Sequence, residues 1–282
     1  MDLARSVLFL PASNARAVEK ARGLSCDVAV LDLEDAVAPE MKAQARQAAA
    51  DALTAGGFAP AAGVRVNGFD TGDIEADISA VRHSPLIVIP KVNTPEQVHA
   101  ARRMAGHDPE LWIMIETARA ILNLPALAEA MADTGGGGFM LGVNDLALDL
   151  GCRSEPGREA LLPHLAATVA AARAHGLTVV DGVFNALDDP DGLAAECEQG
   201  RRYGYDGKSL IHPNQIAAAN AAFGPTDGEI DAAHRIVEAF AAPEATDKGA
   251  IRVHGRMVER LHLHQAERLL DRASRIAERS RP

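Results

Sequence analysis

The sequence predicts an α/β fold, a (β/α)8 TIM barrel with a C-terminal helical extension, from three observations. Eight short apolar runs rich in β-branched residues recur along the chain, separated by Ala-rich segments typical of amphipathic helices. Most of these runs are apolar at consecutive positions, which indicates strands covered on both faces. Strands that alternate with helices are parallel, because parallel neighbours need a crossover connection. A closed barrel accommodates all eight strands, whereas the alternative, a doubly wound open sheet, usually has fewer.

The elements follow one another in a regular order. The predicted strands occupy residues 7–11, 28–34, 63–67, 86–92, 111–116, 138–145, 178–183 and 206–211. The main predicted helices between them occupy residues 40–55, 95–106, 158–175 and 213–222. Three helix starts are marked by a capping residue followed by proline, at Thr94–Pro95, Asp189–Pro190 and His212–Pro213.

After Phe223 the strand–helix alternation ends. The pattern predicts a helix at 227–241, a loop at 242–255 with short-strand character around 251–254, and a charged amphipathic helix at 256–279. We therefore predict a barrel catalytic domain at 1–225 and a helical extension at 226–282. The extension is interpreted either as a packed addition that contacts a neighbouring subunit or as a lid over an active site.

Composition excludes several classes of protein. The chain has 282 residues, with 28 basic and 39 acidic side chains and a formal net charge of −11. This acidity argues against a nucleic-acid surface, and no apolar run approaches the roughly 18 residues of a membrane span. Three widely spaced cysteines do not suggest a disulfide framework. We expect a cytoplasmic globular protein that binds neither nucleic acid nor membrane.

Polar side chains cluster at the C-terminal ends of seven predicted strands. In a barrel these ends meet at one face, which carries the active site in this fold. A single carboxylate at such a position is often only a helix cap, but caps alone do not explain seven strands. The residues are Asp32, Glu34 and Asp35; Arg65 and Asn67; Lys91; Glu116 and Thr117; Asn144 and Asp145; Asp181; and Ser209 with His212.

This set predicts a magnesium site that binds a small acid. Glu116 and Asp145, on adjacent strands, form an oxygen-ligand pair suited to Mg²⁺. Glu34 and Asp35 would hold the water molecules around the metal. The planar fork of Arg65 suits a substrate carboxylate. Mg²⁺ and an arginine facing one cavity would bind a 2-oxo or 2-hydroxy acid and stabilise an enolate.

Two other side chains suggest different roles. Lys91 could form a Schiff base, as in metal-free aldolases, but the acidic cluster would then have no function. His212, directly before a proline, is interpreted as a helix-start or packing residue. Zinc is disfavoured because the sequence has neither an HxxxH nor a CxxC pattern.

Several motifs together resemble those of one known family. The sequence is similar to the citrate lyase beta-subunit-like branch of the HpcH/HpaI aldolase superfamily, which includes malyl-CoA and citramalyl-CoA lyases. The similarity runs in order across about residues 5–225. The matching segments are RSVLFLPASN (5–14), LDLEDAVAPEMKAQAR (31–46), VRVNGFDT (64–71), PKVNTPEQV (90–98), IETARAILNL (115–124), GVNDLALDLG (142–151), DGVFNALDDPDGL (181–193) and GYDGKSLIHPNQI (204–216).

The resemblance implies specific roles for these residues. It implies a barrel that assembles as a trimer or a dimer of trimers, binds Mg²⁺ and makes or breaks a C–C bond in a hydroxyacyl thioester. Glu116 and Asp145 would be the metal ligands, and Arg65 together with Glu116 would bind the substrate. Glu34 and Asp35 match the acidic pair that positions water around the metal. The loop with Asn14, Arg16 and Lys20 resembles the region that meets CoA phosphates.

One segment departs from the family pattern. Many CoA-dependent members have a C-terminal G-x-M-[IV]-D-x-P segment whose Asp acts as the acid/base. Here the segment reads GRMVERL (255–261), so that Glu259 replaces the Asp and Leu261 the Pro. Glutamate keeps the carboxylate, but its side chain is longer by one methylene group.

The working prediction is a Mg²⁺-dependent carbon–carbon lyase. It would cleave malyl-CoA or citramalyl-CoA to a keto acid and a shorter acyl-CoA, with Arg65 and Glu259 as catalytic residues. Three alternatives stay open. The chain could be a citrate lyase beta subunit acting on a carrier-bound citryl thioester, a malyl-CoA thioesterase, or a ligand-binding subunit without catalysis.

Overall fold

Eight parallel strands close into a barrel in the computed structural model, which describes residues 1, 3–153, 157–242 and 248–279. Each strand pairs with the next in the chain, and β1 also pairs with β8, so the predicted barrel is confirmed. The strands are β1 Ser6–Pro11, β2 Val28–Asp32, β3 Ala61–Arg65, β4 Leu86–Ile89, β5 Glu110–Ile115, β6 Gly137–Leu141, β7 Thr178–Asp181 and β8 Gly207–Leu210.

Helices fill the connections between the strands. Thr94 and Asp189, two of the predicted cap residues, accept hydrogen bonds at the starts of α4 and α9. Short 3₁₀ turns at Pro39–Met41 and Pro213–Gln215 precede α2 and α10. The helices are α1 Ala15–Ala21, α2 Lys42–Ala55, α3 Ile74–Val81, α4 Pro95–Ala105, α5 Ala118–Leu122, α6 Leu124–Asp133, α7 Val143–Leu150, α8 Leu162–Ala174, α9 Pro190–Tyr203 and α10 Ile216–Phe223.

The core has two layers, one on each side of the strand wall. A smaller cluster that includes Val30, Trp112 and Met140 fills the barrel interior. A larger cluster contains the alternate strand residues, such as Leu31 and Ile113, together with buried helix residues, so it lies between the strands and the helices. Since the two faces of the strands each pack against one of these layers, the apolar runs are continuous rather than alternating.

Seven of the eight predicted strands end later than the observed ones, and two of them show what this means for site residues. The strand predicted at 138–145 ends at Leu141, and α7 begins at Val143, which places Asp145 in the first turn of a helix. The strand predicted at 28–34 ends at Asp32, so Glu34 lies in the following loop. The apolar pattern continues across both strand ends, which is why it does not show where each strand stops.

The residues from Gly224 onward form a second compact unit, separate from the unit that contains Leu3–Phe223. This second unit contains α11 (Asp227–Ala241), the antiparallel pair β9 (Ala250–Val253) and β10 (Arg256–Glu259), and α12 (Arg260–Arg279). Helices α11 and α12 pack together. Part of the predicted loop, 243–247, lies outside the described residues.

The helix predicted at 256–279 is wrong over its first four residues. Residues 256–259 pair with β9 instead, with Arg256 opposite Val253 and Glu259 opposite Ala250. His254 and Gly255 both have positive φ, at 46° and 82°, as a tight hairpin turn of the primed type requires. Glu259 therefore ends a strand rather than lying on a helix. Among the described helices, none combines the length and apolarity needed to cross a membrane.

Candidate active site

A cavity of about 400 Å³ opens at the C-terminal ends of the barrel strands. This is the face at which the polar residues were predicted to meet, and residues from seven of the eight strands or the loops after them line the cavity. Its walls combine an acidic side with an apolar side. The lining residues are Phe9, Leu10, Pro11, Asp32, Asp35, Ala36, Arg65, Met114, Glu116, Leu141, Gly142, Val143, Asn144, Asp145, Val183, Asn185, Ser209 and Ile211.

Arg65 is held by Asp32, a residue to which the sequence analysis assigned no role. The Nε and Nη2 atoms of Arg65 donate to the two carboxylate oxygens of Asp32 at 2.7 and 2.6 Å. Asp32 also accepts the backbone N–H groups of Glu34 and Ala36. The edge of the guanidinium that was predicted to grip a substrate carboxylate is therefore already occupied. Asp32 lies opposite Arg65 in the β2–β3 register, and that adjacency was the signal available to find the pair.

The remaining edge of Arg65 faces the cavity. Its Nη1 lies 2.9 Å from Glu34 Oε2 and 3.5 Å from Asp35 Oδ2, and the guanidinium carbon lies 5.1 Å from the centre of the Phe9 ring. Burial would lower the pKa of Arg65, but the hydrogen bonds and charge of Asp32, with Glu34 and Asp35, raise it above its ordinary value. Arg65 is thus a permanent cation, and its Nη1 group, which faces the cavity, lies beside the carboxylates of Glu34 and Asp35.

Glu116, predicted as a metal ligand, is almost fully buried at the end of β5. Its Oε1 accepts the backbone N–H of Lys91 at 2.7 Å. A Cβ atom at Gly142 would lie 2.2 Å from Glu116 Oε2, so the carboxylate occupies space that only a glycine leaves open. Burial raises the pKa of Glu116 to about 8, and the nearby charge of Glu34 adds to the increase.

Lys91 connects the predicted acidic residues. Its Nζ donates to Glu34 Oε1 at 2.8 Å and lies 3.9 Å from Asp145 Oδ2. Lys91 has a φ of 53°, a conformation that is uncommon for residues other than glycine. Burial would lower the pKa of Lys91, but hydrogen bonding to Glu34 and its charge raise it. Because a Schiff base needs a neutral amine, this environment disfavours that role for Lys91.

The oxygen ligands of the cavity suit a magnesium ion better than a structural zinc ion, which is bound by protein ligands alone. Glu116 and Asp145 both line the cavity and offer only oxygen atoms. Within the described ranges, no three His, Cys, Asp or Glu side chains are grouped so as to hold a metal ion. Mg²⁺ is commonly held by one or two carboxylates plus water and substrate oxygens, whereas structural zinc needs four protein ligands. The elevated pKa of Glu116 also indicates a carboxylate whose ionised form lacks a sufficient positive partner.

Other residues predicted for the site lie away from this cavity. Asn14 caps α1 by accepting the Ala17 N–H at 3.1 Å, and Arg16 and Lys20 are exposed on that helix; none of the three lines the cavity. The Nδ1 atom of His212 accepts the N–H of Asn214, which is the helix-start role expected for it. Glu259 belongs to the second unit, where its N–H donates to His262 Nδ1.

Comparisons with known proteins agree on one family. Residues 5–213 match the model of the HpcH/HpaI aldolase/citrate lyase family. The (3S)-malyl-CoA thioesterase of Cereibacter sphaeroides is 45% identical over 276 residues, which cover 97% of this chain and 95% of that protein. The mitochondrial citramalyl-CoA lyase of Mus musculus is 30% identical over 295 residues, with 98% of this chain and 87% of that protein covered.

A solved structure shows the same architecture. The protein CitE from Mycobacterium tuberculosis, in complex with magnesium, acetoacetate and coenzyme A, superimposes with a TM-score of 0.79 at 29% identity. The match covers 95% of this chain and 97% of the CitE chain. The sequence-based resemblance is therefore confirmed at the level of family and fold.

Proposed function

The chain belongs to the HpcH/HpaI aldolase/citrate lyase family, and from this premise we propose that it is a Mg²⁺-dependent enzyme acting on the CoA thioester of a small hydroxy acid. The reaction that we place first is hydrolysis of a malyl-CoA-like thioester. The 45% identity with a (3S)-malyl-CoA thioesterase supports hydrolysis over the C–C cleavage favoured by the sequence analysis. The observation that carries the proposal is that Arg65, Glu116 and Asp145 line one cavity.

Each of these residues has a defined task in the proposed reaction. Arg65, held in position by Asp32, presents Nη1 to the free carboxylate of the acyl group. Glu116 and Asp145 would hold Mg²⁺, whose positive charge would stabilise negative charge developing on a substrate oxygen. Lys91 keeps the carboxylate of Glu116 in position through its backbone N–H.

Hydrolysis requires a group at the edge of the cavity that accepts a proton from the attacking water molecule. Water adds to the thioester carbonyl carbon, the C–S bond breaks, and the products are the hydroxy acid and CoA. Asp35 lines the cavity with a side chain that is 59% exposed, so it can reach solvent and accept the proton of the attacking water.

Cleavage of the C–C bond is the second candidate reaction. The 30% identity with a citramalyl-CoA lyase favours it, because the same arginine and carboxylates suit both substrates. In that reaction a carboxylate of the cavity would take the proton of the substrate hydroxyl, the bond between the hydroxyl-bearing carbon and the next carbon would break to give the keto acid, and the acyl-CoA enolate would take up a proton. Glu259 would supply that proton.

Product analysis separates these reactions. Purified protein is incubated with Mg²⁺ and malyl-CoA or citramalyl-CoA, and a parallel sample contains EDTA. From malyl-CoA we expect malate and CoA, with no glyoxylate. Neither product should form in the sample that contains EDTA. Glyoxylate or pyruvate with acetyl-CoA would instead establish the lyase. If neither substrate is converted, a citryl thioester on a carrier protein is tested next. A protein that binds the metal and oxaloacetate but converts none of these thioesters would be a non-catalytic subunit.

Three further sequence-based predictions belong to this proposal. The exposed cations Arg16 and Lys20, with Asn14, would meet the CoA phosphates. The second unit would serve as an extension or lid of the barrel. The chain would assemble as a trimer or a dimer of trimers, which the molar mass in solution would test.

A further inference from the structure

We propose that Ser209 is a ligand-binding residue of this cavity, whose hydroxyl donates a hydrogen bond to a carboxylate oxygen of the bound hydroxy acid. The identity of that acid rests on the proposed function. The donor itself is inferred from the hydrogen bonding of the cavity wall, which contains one buried hydroxyl without a partner.

Ser209 faces the inside of the barrel on β8. It lines the cavity, and its relative exposure is only 2%. The preceding residue, Lys208, points to the opposite face of the strand, where its Nζ contacts Asp181 and Glu196. Because strand side chains alternate between faces, Ser209 is directed at the barrel mouth.

The hydroxyl of Ser209 lacks a partner in the protein. Among the residues that the structure describes, only Glu34 Oε2, Arg102 Nε and Ser209 Oγ are buried side-chain atoms without a hydrogen bond. Glu34 Oε2 still forms an ion pair with Arg65 Nη1 at 2.9 Å, which offsets the missing hydrogen bond. The neutral hydroxyl of Ser209 has no such ion pair. Buried polar groups are nearly always hydrogen-bonded, so an unpaired one beside a cavity calls for a partner from outside the chain.

The state of Arg65 explains why a second donor is needed. Its Nε and Nη2 atoms each donate to Asp32, and its Nη1 atom lies 2.9 Å from Glu34 Oε2 and 3.5 Å from Asp35 Oδ2, so its donors are largely engaged by the protein's own carboxylates. A carboxylate has two oxygens and about four acceptor positions, which the few N–H groups that Arg65 has left cannot satisfy.

Ser209 is suited to supply that second donor. Asp32, Asp35 and Asp145 in the lining are acceptors when ionised, and Glu116 would be an acceptor once it ionises beside the proposed Mg²⁺. The amides of Asn144 and Asn185 hydrogen-bond to each other. Among the described lining side chains, this leaves the hydroxyl of Ser209 as the neutral donor with no partner, and rotation among staggered positions of its side chain would turn Oγ toward a ligand.

The test compares Ser209→Ala with a matched control, Ser84→Ala. Ser84 has the same 2% exposure, but its hydroxyl donates to the Leu86 carbonyl at 2.8 Å. For the wild type and both variants, the dissociation constant of malate in the presence of Mg²⁺ is measured by calorimetry. The melting temperature without ligand and KM for malyl-CoA are measured in parallel.

We expect Ser209→Ala to weaken malate binding by about ten- to a hundredfold, the range for a hydrogen bond to a charged group. KM should rise in parallel, and the melting temperature should stay the same or increase because an unpaired hydroxyl has been removed. Ser84→Ala should lower the melting temperature and leave malate binding unchanged.

Two results would overturn the assignment, and they have different meanings. If the wild type binds malate and Ser209→Ala binds it equally well, Ser209 is not a ligand donor while the proposed function stands. If the wild type neither binds malate nor turns over the thioesters, the proposed function fails, and the role of Ser209 fails with it.

Discussion

Replacing Asp32 by Asn tests the most tightly bonded contact of the site. Asp32 and Arg65 share two hydrogen bonds of 2.7 and 2.6 Å, and both side chains are at most 10% exposed. Asparagine keeps the size of aspartate but removes the charge. It also turns one acceptor oxygen into an NH₂ group that faces an N–H of the guanidinium. Two hydrogen bonds are lost, one from Arg65 and one from the backbone N–H of Glu34 or Ala36, and both donors lose their acceptor.

The size of the effect follows from these two losses. A hydrogen bond to a charged group contributes about 1.5–3 kcal/mol, and an unpaired buried donor costs a further 1–3 kcal/mol. Glu34 and Asp35 still lie beside Nη1, so the loss should not exceed the upper end of the roughly 3–5 kcal/mol for breaking an isolated buried pair. We expect the free energy of unfolding to fall by about 2.5–5 kcal/mol. If Arg65 shifts by about 1 Å, kcat/KM should fall by about 100-fold.

Urea denaturation at one fixed protein concentration measures the stability, and steady-state kinetics measures the activity. The control is Glu198→Gln, which removes a surface ion pair with Arg202 and should cost at most about 1 kcal/mol without affecting turnover. If Asp32→Asn matches the control in both stability and kcat/KM, the conclusion that Asp32 positions Arg65 is refuted.

Three further predictions concern Glu116 and its neighbours. Burial keeps the pKa of Glu116 near 8, above its ordinary value of 4.5, so its contribution to stability is complete below about 4.5 and is lost as the pH rises through about 8. Between about pH 4.5 and 8 the metal-free protein should lose stability, and the affinity of the protein for Mg²⁺ should increase. Glu116→Gln should flatten the dependence of both stability and Mg²⁺ affinity on pH. If the variant has the same two pH profiles as the wild type, the raised pKa of Glu116 is contradicted. Gly142→Ala places a Cβ 2.2 Å from Glu116 Oε2 and should lower Mg²⁺ affinity by at least about tenfold in calorimetry. Borohydride added with a keto acid should leave no adduct at Lys91 in mass spectrometry, because its pKa is raised; a trapped adduct would revive the Schiff-base role.

The sequence predicts the barrel well because its signal is local and repeated. Eight runs of consecutive apolar residues reflect strands buried between two core layers, and the polar residues that follow them mark the face at which the cavity opens. Arg65 and Glu116 stand out in this way. Asp32 stands out in the same way, but its pairing with Arg65 does not, because that contact depends on the register between two strands.

Other features depend on backbone geometry that a residue pattern does not encode. Lys91 acts on Glu116 through its main chain and a positive φ, whereas the sequence suggested a role for its amine. The hairpin before α12 depends on positive φ at His254 and Gly255, and residues 256–259 otherwise continue the amphipathic pattern of the helix. In both cases the backbone conformation, which the side-chain pattern does not specify, determines the role of the residue or the end of the helix.

The charge of the cavity explains why an acidic protein would need a metal to bind an anion. Among the described residues in the cavity wall and directly behind it, five carboxyl groups lie around two cations, Arg65 and Lys91; the carboxyl groups are those of Asp32, Glu34, Asp35, Glu116 and Asp145. Each cation is paired with at least one carboxylate, so little positive charge is left for a substrate carboxylate. A divalent ion beside Glu116 and Asp145 would reverse this balance locally and allow Glu116 to ionise. Metal binding and substrate binding are therefore expected to be coupled in this site, and chelation should abolish malate binding as well as turnover.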